Sequence, residues 1–68
     1  MKVEKLLIEF RSGANAYERN MHIKHELENR QFVKILKGKL IYPDGTSSDR
    51  IYENKEIEEA ESVEIDFI

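Results

Sequence analysis

Residues 20–30, NMHIKHELENR, decide the fold, because they fit either a helix or a strand. As a strand the segment alternates cleanly, with Met21, Ile23 and Leu27 on one face. Good helix formers dominate residues 14–31, however, and Ile23 is the only β-branched residue among them. The same residues contain no Gly or Pro, and such a run is long for a strand or a loop. We therefore predict a helix within 14–31.

The start of this predicted helix carries a capping signal. Asn15 is a suitable N-cap, and Glu18 stands three residues later, which is the spacing of a capping box. At about 100° per residue, the apolar side chains that follow cover an arc of roughly 160° on one side. Those side chains are Ala16, Tyr17, Met21, Ile23 and Leu27. We expect this side of the helix to pack on a sheet.

The segments before and after the helix have the two-residue period of β-strands. In VEKLLIEFR, residues 3–11, the side chains of Leu6, Ile8 and Phe10 share one face, which predicts a half-buried strand. Val63, Ile65 and Phe67 alternate in the same way with acidic residues near the end of the chain. They predict a strand at 62–68. Further strands are predicted at 32–36, 39–42 and 50–53.

Three short segments separate these strands. YPDGT at 42–46 predicts a tight turn, with Pro43 presetting φ and Gly45 taking the left-handed position. KG at 37–38 is either a hairpin turn with a positive φ at the glycine or a bulge in one long strand. NKEIEEAES at 54–62 is acidic and irregular, and one short helical turn is expected there.

The order β-α-β-β-β predicts an α+β fold. We expect a small, mostly antiparallel sheet of about three to five strands with one helix packed on one face. The other face would stay open, which favours a partner or a second copy. If residues 20–28 form a strand instead, the alternative is a small all-β barrel of about five strands. The length of 68 residues predicts one domain, 1–68.

Composition narrows the class of protein. The chain has no cysteine, so it forms neither disulfides nor a cysteine-based zinc site. A core of this size supplies only about 3–5 kcal/mol, and a homodimer would add to that stability. The apolar run at 6–8 is too short for a signal peptide, whose apolar core has about 7–15 residues. We expect a cytoplasmic protein with no membrane contact.

Charge is divided unevenly along the chain. Residues 1–39 hold nine Lys/Arg and five Asp/Glu, a net charge of +4. Residues 40–68 hold two Lys/Arg and nine Asp/Glu, a net charge of −7. The division fits a bipolar surface that steers association. It equally fits two halves that neutralise each other across one sheet.

The two histidines lie in the predicted helix. His22 and His25 would be about 60° apart around it, with Glu18 and Glu26 each one turn from His22. Two imidazoles and a carboxylate can ligate zinc. The order H-x-x-H-E, however, matches neither the zincin motif H-E-x-x-H nor the inverted H-x-x-E-H. We predict a solvated face here, with no metal and no cofactor.

No catalytic motif stands out. The serines lie outside any G-x-S-x-G motif, and the three glycines are dispersed, so no phosphate-binding loop is present. The acidic residues after 53 lack the spacing of an EF-hand loop. We predict no enzymatic activity and no catalytic residues.

Two sets of residues are candidates for binding. Tyr42 and Tyr52, near the turn at 42–46, are expected to be exposed, and tyrosine is enriched at binding hot spots. Segment 19–39 is rich in cations that could contact phosphates, with Tyr17 or Phe32 stacking on bases. Its cations are Arg19, Lys24, Arg30, Lys34, Lys37 and Lys39. Interleaved glutamates and a pI near 5.3 count against nucleic acid.

These observations predict a non-enzymatic protein-interaction or regulatory module that acts by surface contacts. We expect it to associate with itself as a homodimer and with another protein. The alternative is a nucleic-acid-binding protein that uses segment 19–39. A steep loss of affinity with added salt would distinguish the alternative, because phosphate contacts release counterions.

Overall fold

The computed structural model describes residues 2–30 and 33–68. Its strands form one four-stranded antiparallel sheet in the order β1-β4-β2-β3. The elements are β1 (Glu4–Glu9), α1 (Ala16–Glu28), β2 (Ile35–Ile41), β3 (Ser47–Ser48), α2 (Asn54–Glu59) and β4 (Ser62–Phe67). The α+β class is confirmed, but the predicted order lacked the second helix. The barrel alternative is wrong, because residues 20–28 are helical and the sheet is open.

The core lies on one face of the sheet, around β4. This strand pairs with β1 on one side and β2 on the other, so Val63 and Ile65 are fully buried. Leu6 of β1 is opposite Ile65, and Leu40 of β2 is opposite Val63. The alternation predicted for 3–11 and 62–68 is therefore confirmed for the residues that point inward, which are Leu6, Ile8, Val63, Ile65 and Phe67.

Helix α1 begins at the predicted capping box. The Asn15 side-chain oxygen accepts a hydrogen bond from the Glu18 backbone N–H at 2.8 Å. The Asn15 backbone N–H donates in return to the Glu18 carboxylate at 3.2 Å. These two bonds occupy N–H groups that have no partner within the helix, and so they fix where the helix starts.

The inward side of α1 differs from the predicted apolar stripe. Ala16 is buried, and Ile23 and Leu27 pack against the core as expected. Tyr17, however, is 72 % exposed, and Arg19 is only 7 % exposed. An arginine tolerates this position because its guanidinium donates hydrogen bonds to backbone carbonyls and lies over the Phe10 ring.

Strand β2 runs unbroken through Gly38, so the hairpin interpretation of KG is wrong. The register shift of the β2–β4 pair lies between Ile35 and Lys37 rather than at the glycine. Gly38 is required for another reason: Ile51 packs directly on its backbone. The predicted strand 32–36 begins partly outside the described residues, which exclude Phe32.

The predicted strand at 50–53 is wrong. Its residues Ile51 and Tyr52 form a turn, and the strand that pairs with β2 on the side away from β4 is Ser47–Ser48. The acidic segment that follows forms α2, a helix of six residues, which is longer than the single turn expected there. Ile57 is its fully buried anchor, with Ala60 one turn later also in the core.

The turn predicted at 42–46 is confirmed. Gly45 has a φ of +90°, the left-handed conformation that glycine adopts without strain. Its N–H donates to the Tyr42 carbonyl at 2.9 Å, and the Tyr42 N–H donates to the Thr46 carbonyl at the same distance. In the part of the chain that the structure describes, no helix is long and apolar enough to cross a membrane.

Candidate interaction surface

One face of the sheet has no helix from residues 2–30 or 33–68 packed on it, and charged side chains occupy that face. Successive side chains of a strand point to opposite faces, so the residues on this open face are the ones next in sequence to the buried residues. Two acids of β4 lie along its middle, flanked by lysines of β1 and β2. These residues are Lys5, Lys37, Lys39, Glu64 and Asp66.

The lysines of the open face form loose ion pairs. Lys5 Nζ lies 3.7 Å and Lys37 Nζ 3.9 Å from the two carboxylate oxygens of Asp66. Lys39 Nζ lies 3.5 Å from Glu64. The lysines are mostly exposed and the acids are half-buried, so each pair contributes at most about 1 kcal/mol. The lysines are therefore free to turn toward a partner at little cost.

The open face is slightly concave. A hollow of about 680 Å³ lies above β4 and β2 and extends to the short β3. Its rim carries the hydroxyls of Ser47 and Ser48 and the carboxylate of Asp49, in addition to the lysines and acids of the open face. Its lining is more polar than that of a typical small-molecule pocket, which is mainly apolar.

The outer edge of β1 has no neighbouring strand among the described residues. The Phe10 N–H donates to the Glu61 carbonyl at 2.9 Å, which places the hydrogen-bonded pairs of the β1–β4 ladder on even-numbered residues of β1. Lys5, Leu7 and Glu9 therefore direct their N–H and C=O groups away from β4.

Exposed apolar side chains accompany this edge. Leu7 is 53 % exposed and Val3, just before the strand, is 57 % exposed. Both occupy odd-numbered positions, where a polar residue would be expected on a solvated face. The opposite edge, β3, is only two residues long, and short edge strands resist pairing with other chains. The two edges of the sheet are thus very different.

The two tyrosines that were predicted to contact a partner lie in different environments. Tyr42 is half-buried, packs against the core and donates its hydroxyl to the Glu56 carboxylate. This hydrogen bond raises the pKa of Tyr42 above its ordinary value. Tyr52 is 78 % exposed and borders a different hollow, between α1 and the start of β2. The expectation that Tyr42 is exposed is wrong.

The cations of segment 19–39 lie on two sides of the sheet. Lys24 pairs with Glu28 at 3.8 Å along α1, on the helical side. Arg30, just after α1, also lies on the helical side, 3.6 Å from a carboxylate oxygen of Glu26 and over the Phe67 ring.

The other cations of the segment differ in burial and in what they contact. Arg19 is buried, and the exposed Lys34 joins the end of the sheet through backbone hydrogen bonds to Ile68. Lys37 and Lys39 belong to the open face. The six cations therefore do not form one continuous surface. Phe32, the proposed stacking partner, lies outside the described residues.

The histidines lie on the outward side of α1, as predicted. His22 Nε2 is 3.8 Å from a carboxylate oxygen of Glu26, one turn later, and His25 is exposed. Within residues 2–30 and 33–68, no three potential ligands of the His, Asp or Glu type come together in a metal-binding arrangement.

Sequence reasoning missed the edge of β1. A signal was present: the polar face of the alternating segment 3–11 contains two apolar residues, Val3 and Leu7. What the sequence lacked was the strand order, which makes β1 an edge. Comparisons of the chain with protein families, curated proteins and solved structures found no match. The functional interpretation therefore depends on the geometry of the molecule.

Proposed function

We propose that this chain is a small non-enzymatic protein-interaction or regulatory module that binds a partner chain by strand addition at the outer edge of β1. The observation that supports this proposal most is the six-residue edge strand whose outward backbone groups have no partner among the described residues. An extended segment can satisfy these groups by joining the sheet.

The side chains of β1 would supply the specificity of such a contact. In strand addition the backbone provides affinity, and alternate side chains distinguish partners. Leu7 offers apolar area at the centre of the edge, while Lys5 and Glu9 lie on either side of it with opposite charges. This arrangement favours a strand with an apolar centre between opposite charges.

Proline substitution offers a direct test. Because the Leu7 N–H points away from β4, Leu7→Pro removes no hydrogen bond of the existing sheet, and edge strands tolerate proline. It does remove a donor needed by an added strand. We expect immobilised wild-type protein to capture a partner from an extract of its own organism and Leu7→Pro to lose it.

Tyr52→Ala is the matched control for this experiment, since Tyr52 is the most exposed of the described aromatic residues and borders α1. A partner that is lost with Tyr52→Ala and kept with Leu7→Pro would refute strand addition. It would instead support the tyrosine surface that the sequence suggested.

Nucleic-acid binding is the second candidate, favoured by the three exposed lysines of the open face. Glu64 and Asp66 oppose it, because they lie within 4 Å of those lysines and repel phosphates. A labelled oligonucleotide titrated at low and moderate salt tests it. Binding that falls steeply with salt and weakens in Lys37→Gln/Lys39→Gln would favour this candidate; undetectable binding at low salt would exclude it.

A further inference from the structure

The edge of β1 is self-complementary in one antiparallel register. We propose that a second copy of this chain binds there, with Leu7 opposite the partner's Leu7. This inference rests on the proposed function, because it names the occupant of the same edge. A homodimer of this kind has a two-fold axis, and a two-fold axis relating two paired strands makes them antiparallel.

Backbone geometry restricts which residues face each other. The outward N–H and C=O groups belong to Lys5, Leu7 and Glu9, so these residues pair with one another across the axis. Centring the pair on Leu7 places Lys5 opposite the partner's Glu9, and Glu9 opposite the partner's Lys5. Each of the three residues then exchanges backbone hydrogen bonds with its counterpart.

Side-chain charge selects this register over its neighbours. Centring on Lys5 would oppose two lysines, and centring on Glu9 would oppose two carboxylates, both of which are unfavourable. Centring on Leu6 or Ile8 would place a charged side chain opposite Leu7. Only the Leu7-centred register gives an apolar pair in the middle and an ion pair on each side of it.

The resulting dimer has one continuous sheet. Paired residues of an antiparallel ladder project to the same side, so the open faces of both copies lie on one side of the sheet and the helices on the other. The long edge of each sheet disappears into the interface, and the two short β3 edges become the outer edges. A small chain thereby covers the edge most open to unwanted pairing.

Charge reversal tests the register by sedimentation velocity over a range of concentrations. We expect wild-type protein to shift from monomer to dimer as concentration rises. Lys5→Glu alone and Glu9→Lys alone should each weaken dimerisation by about tenfold or more, because both create like-charged pairs across the axis. An equimolar mixture of the two variants should dimerise again, because every cross-axis pair in the mixed dimer is attractive.

The matched control mixes Lys55→Glu with Glu58→Lys, which carry the same changes of net charge on the exposed surface of α2. This mixture should dimerise no better than either of its components. If mixing instead strengthens its dimerisation over both components by a factor similar to that of the Lys5/Glu9 mixture, the rescue is only general charge attraction and the register is overturned.

Folding of each variant is checked by thermal melting. Lys5→Glu loses a 3.7 Å ion pair with Asp66, whereas Glu9 forms no ion pair with any other described residue. If Lys5→Glu melts at a lower temperature than wild type, Glu9→Lys therefore provides the test.

A wild-type protein that stays monomeric at all concentrations would overturn the dimer. The proposed function would survive that result if Leu7→Pro still abolished capture of another protein, and it would fall as well if Leu7→Pro had no effect.

Discussion

Arg19 is a buried cation that joins the start of α1 to the end of α2. Its Nη1 donates to the carbonyls of Ile57 and Ala60 at 2.7 and 2.6 Å, and its Nε donates to the Ala14 carbonyl at 2.9 Å. The guanidinium also lies 4.8 Å from the centre of the Phe10 ring. Sequence reasoning grouped Arg19 with phosphate-binding cations, because charge alone does not reveal which carbonyls a fold leaves to be satisfied.

Removing this guanidinium should destabilise the fold. Arg19→Met keeps the apolar stem but leaves the buried Ala60 carbonyl without its donor and the Ile57 carbonyl with only the Ala60 N–H, at 3.3 Å. We therefore expect the free energy of unfolding to fall by about 2–4 kcal/mol. Chemical denaturation measures the change. Arg11→Met, which removes an exposed ion pair with Glu18, should cost less than about 1 kcal/mol. Equal losses in the two variants would contradict the role of Arg19.

Gly38 is a second residue whose neighbours limit which side chain can stand there. A Cβ added there would overlap Ile51 Cδ1 and lie 2.9 Å from Cγ2, so Gly38→Ala should cost about 1–3 kcal/mol through overpacking. Ile51→Val removes the nearest atom, and the double variant should therefore lose less than the sum of the two single losses. Strict additivity in denaturation would show that the two residues are not in contact.

At the scale of elements, β1, α1, β4 and the turn at 42–46 were predictable because each has a local cause. The strands have a two-residue period, the helix has its Asn15–Glu18 capping box, and the turn has Pro43 and Gly45 at required positions. The turn at 50–53 was not predictable, and α2 was predicted only as one short helical turn. Ile51 favours strand locally but is held in a turn by its tertiary contact with Gly38.

Tyr42 links β2 to α2 through its hydrogen bond to Glu56. This bond raises the pKa of Tyr42 above its ordinary value of about 10. The bond's contribution to the free energy of unfolding is therefore fully present below about pH 10. The contribution disappears as the pH rises through the raised pKa. We therefore expect Tyr42→Phe to melt below wild type near neutral pH, with the gap closing in strongly alkaline solution.

Tyr52→Phe is the control for this pH dependence, since Tyr52 is largely exposed. Its melting temperature should follow that of wild type at both pH values. A gap between Tyr42→Phe and wild type that stays constant from neutral to strongly alkaline pH would show that the Tyr42 hydroxyl is not coupled to Glu56.

At the scale of the whole molecule, the basic first half and the acidic second half of the chain meet on the sheet. The pairs Lys5–Asp66, Lys37–Asp66 and Lys39–Glu64 each join a cation of the first half to an acid of the second across the sheet. This is the arrangement expected if the two halves neutralise each other. The sequence contains the charges, but only the strand order brings β1 and β2 to either side of β4.

The candidate interaction surface depends on the same strand order. The alternation of residues 3–11 predicts which side chains are exposed, including Leu7. It does not predict that β1 is outermost, because that follows from β4, the last strand along the chain, inserting between β1 and β2. A surface defined by its place at an edge therefore needs the complete sheet before it can be recognised.

Residue-resolved amide hydrogen exchange in β1 tests the central claim most directly. In dilute solution we expect slow exchange at Leu6, Ile8 and Phe10, whose N–H groups face β4, and fast exchange at Lys5, Leu7 and Glu9, whose N–H groups face outward. When the edge is occupied at high concentration or by a captured partner, exchange at the outward residues should slow. Outward amides that remain fast while a partner is bound would contradict strand addition at β1.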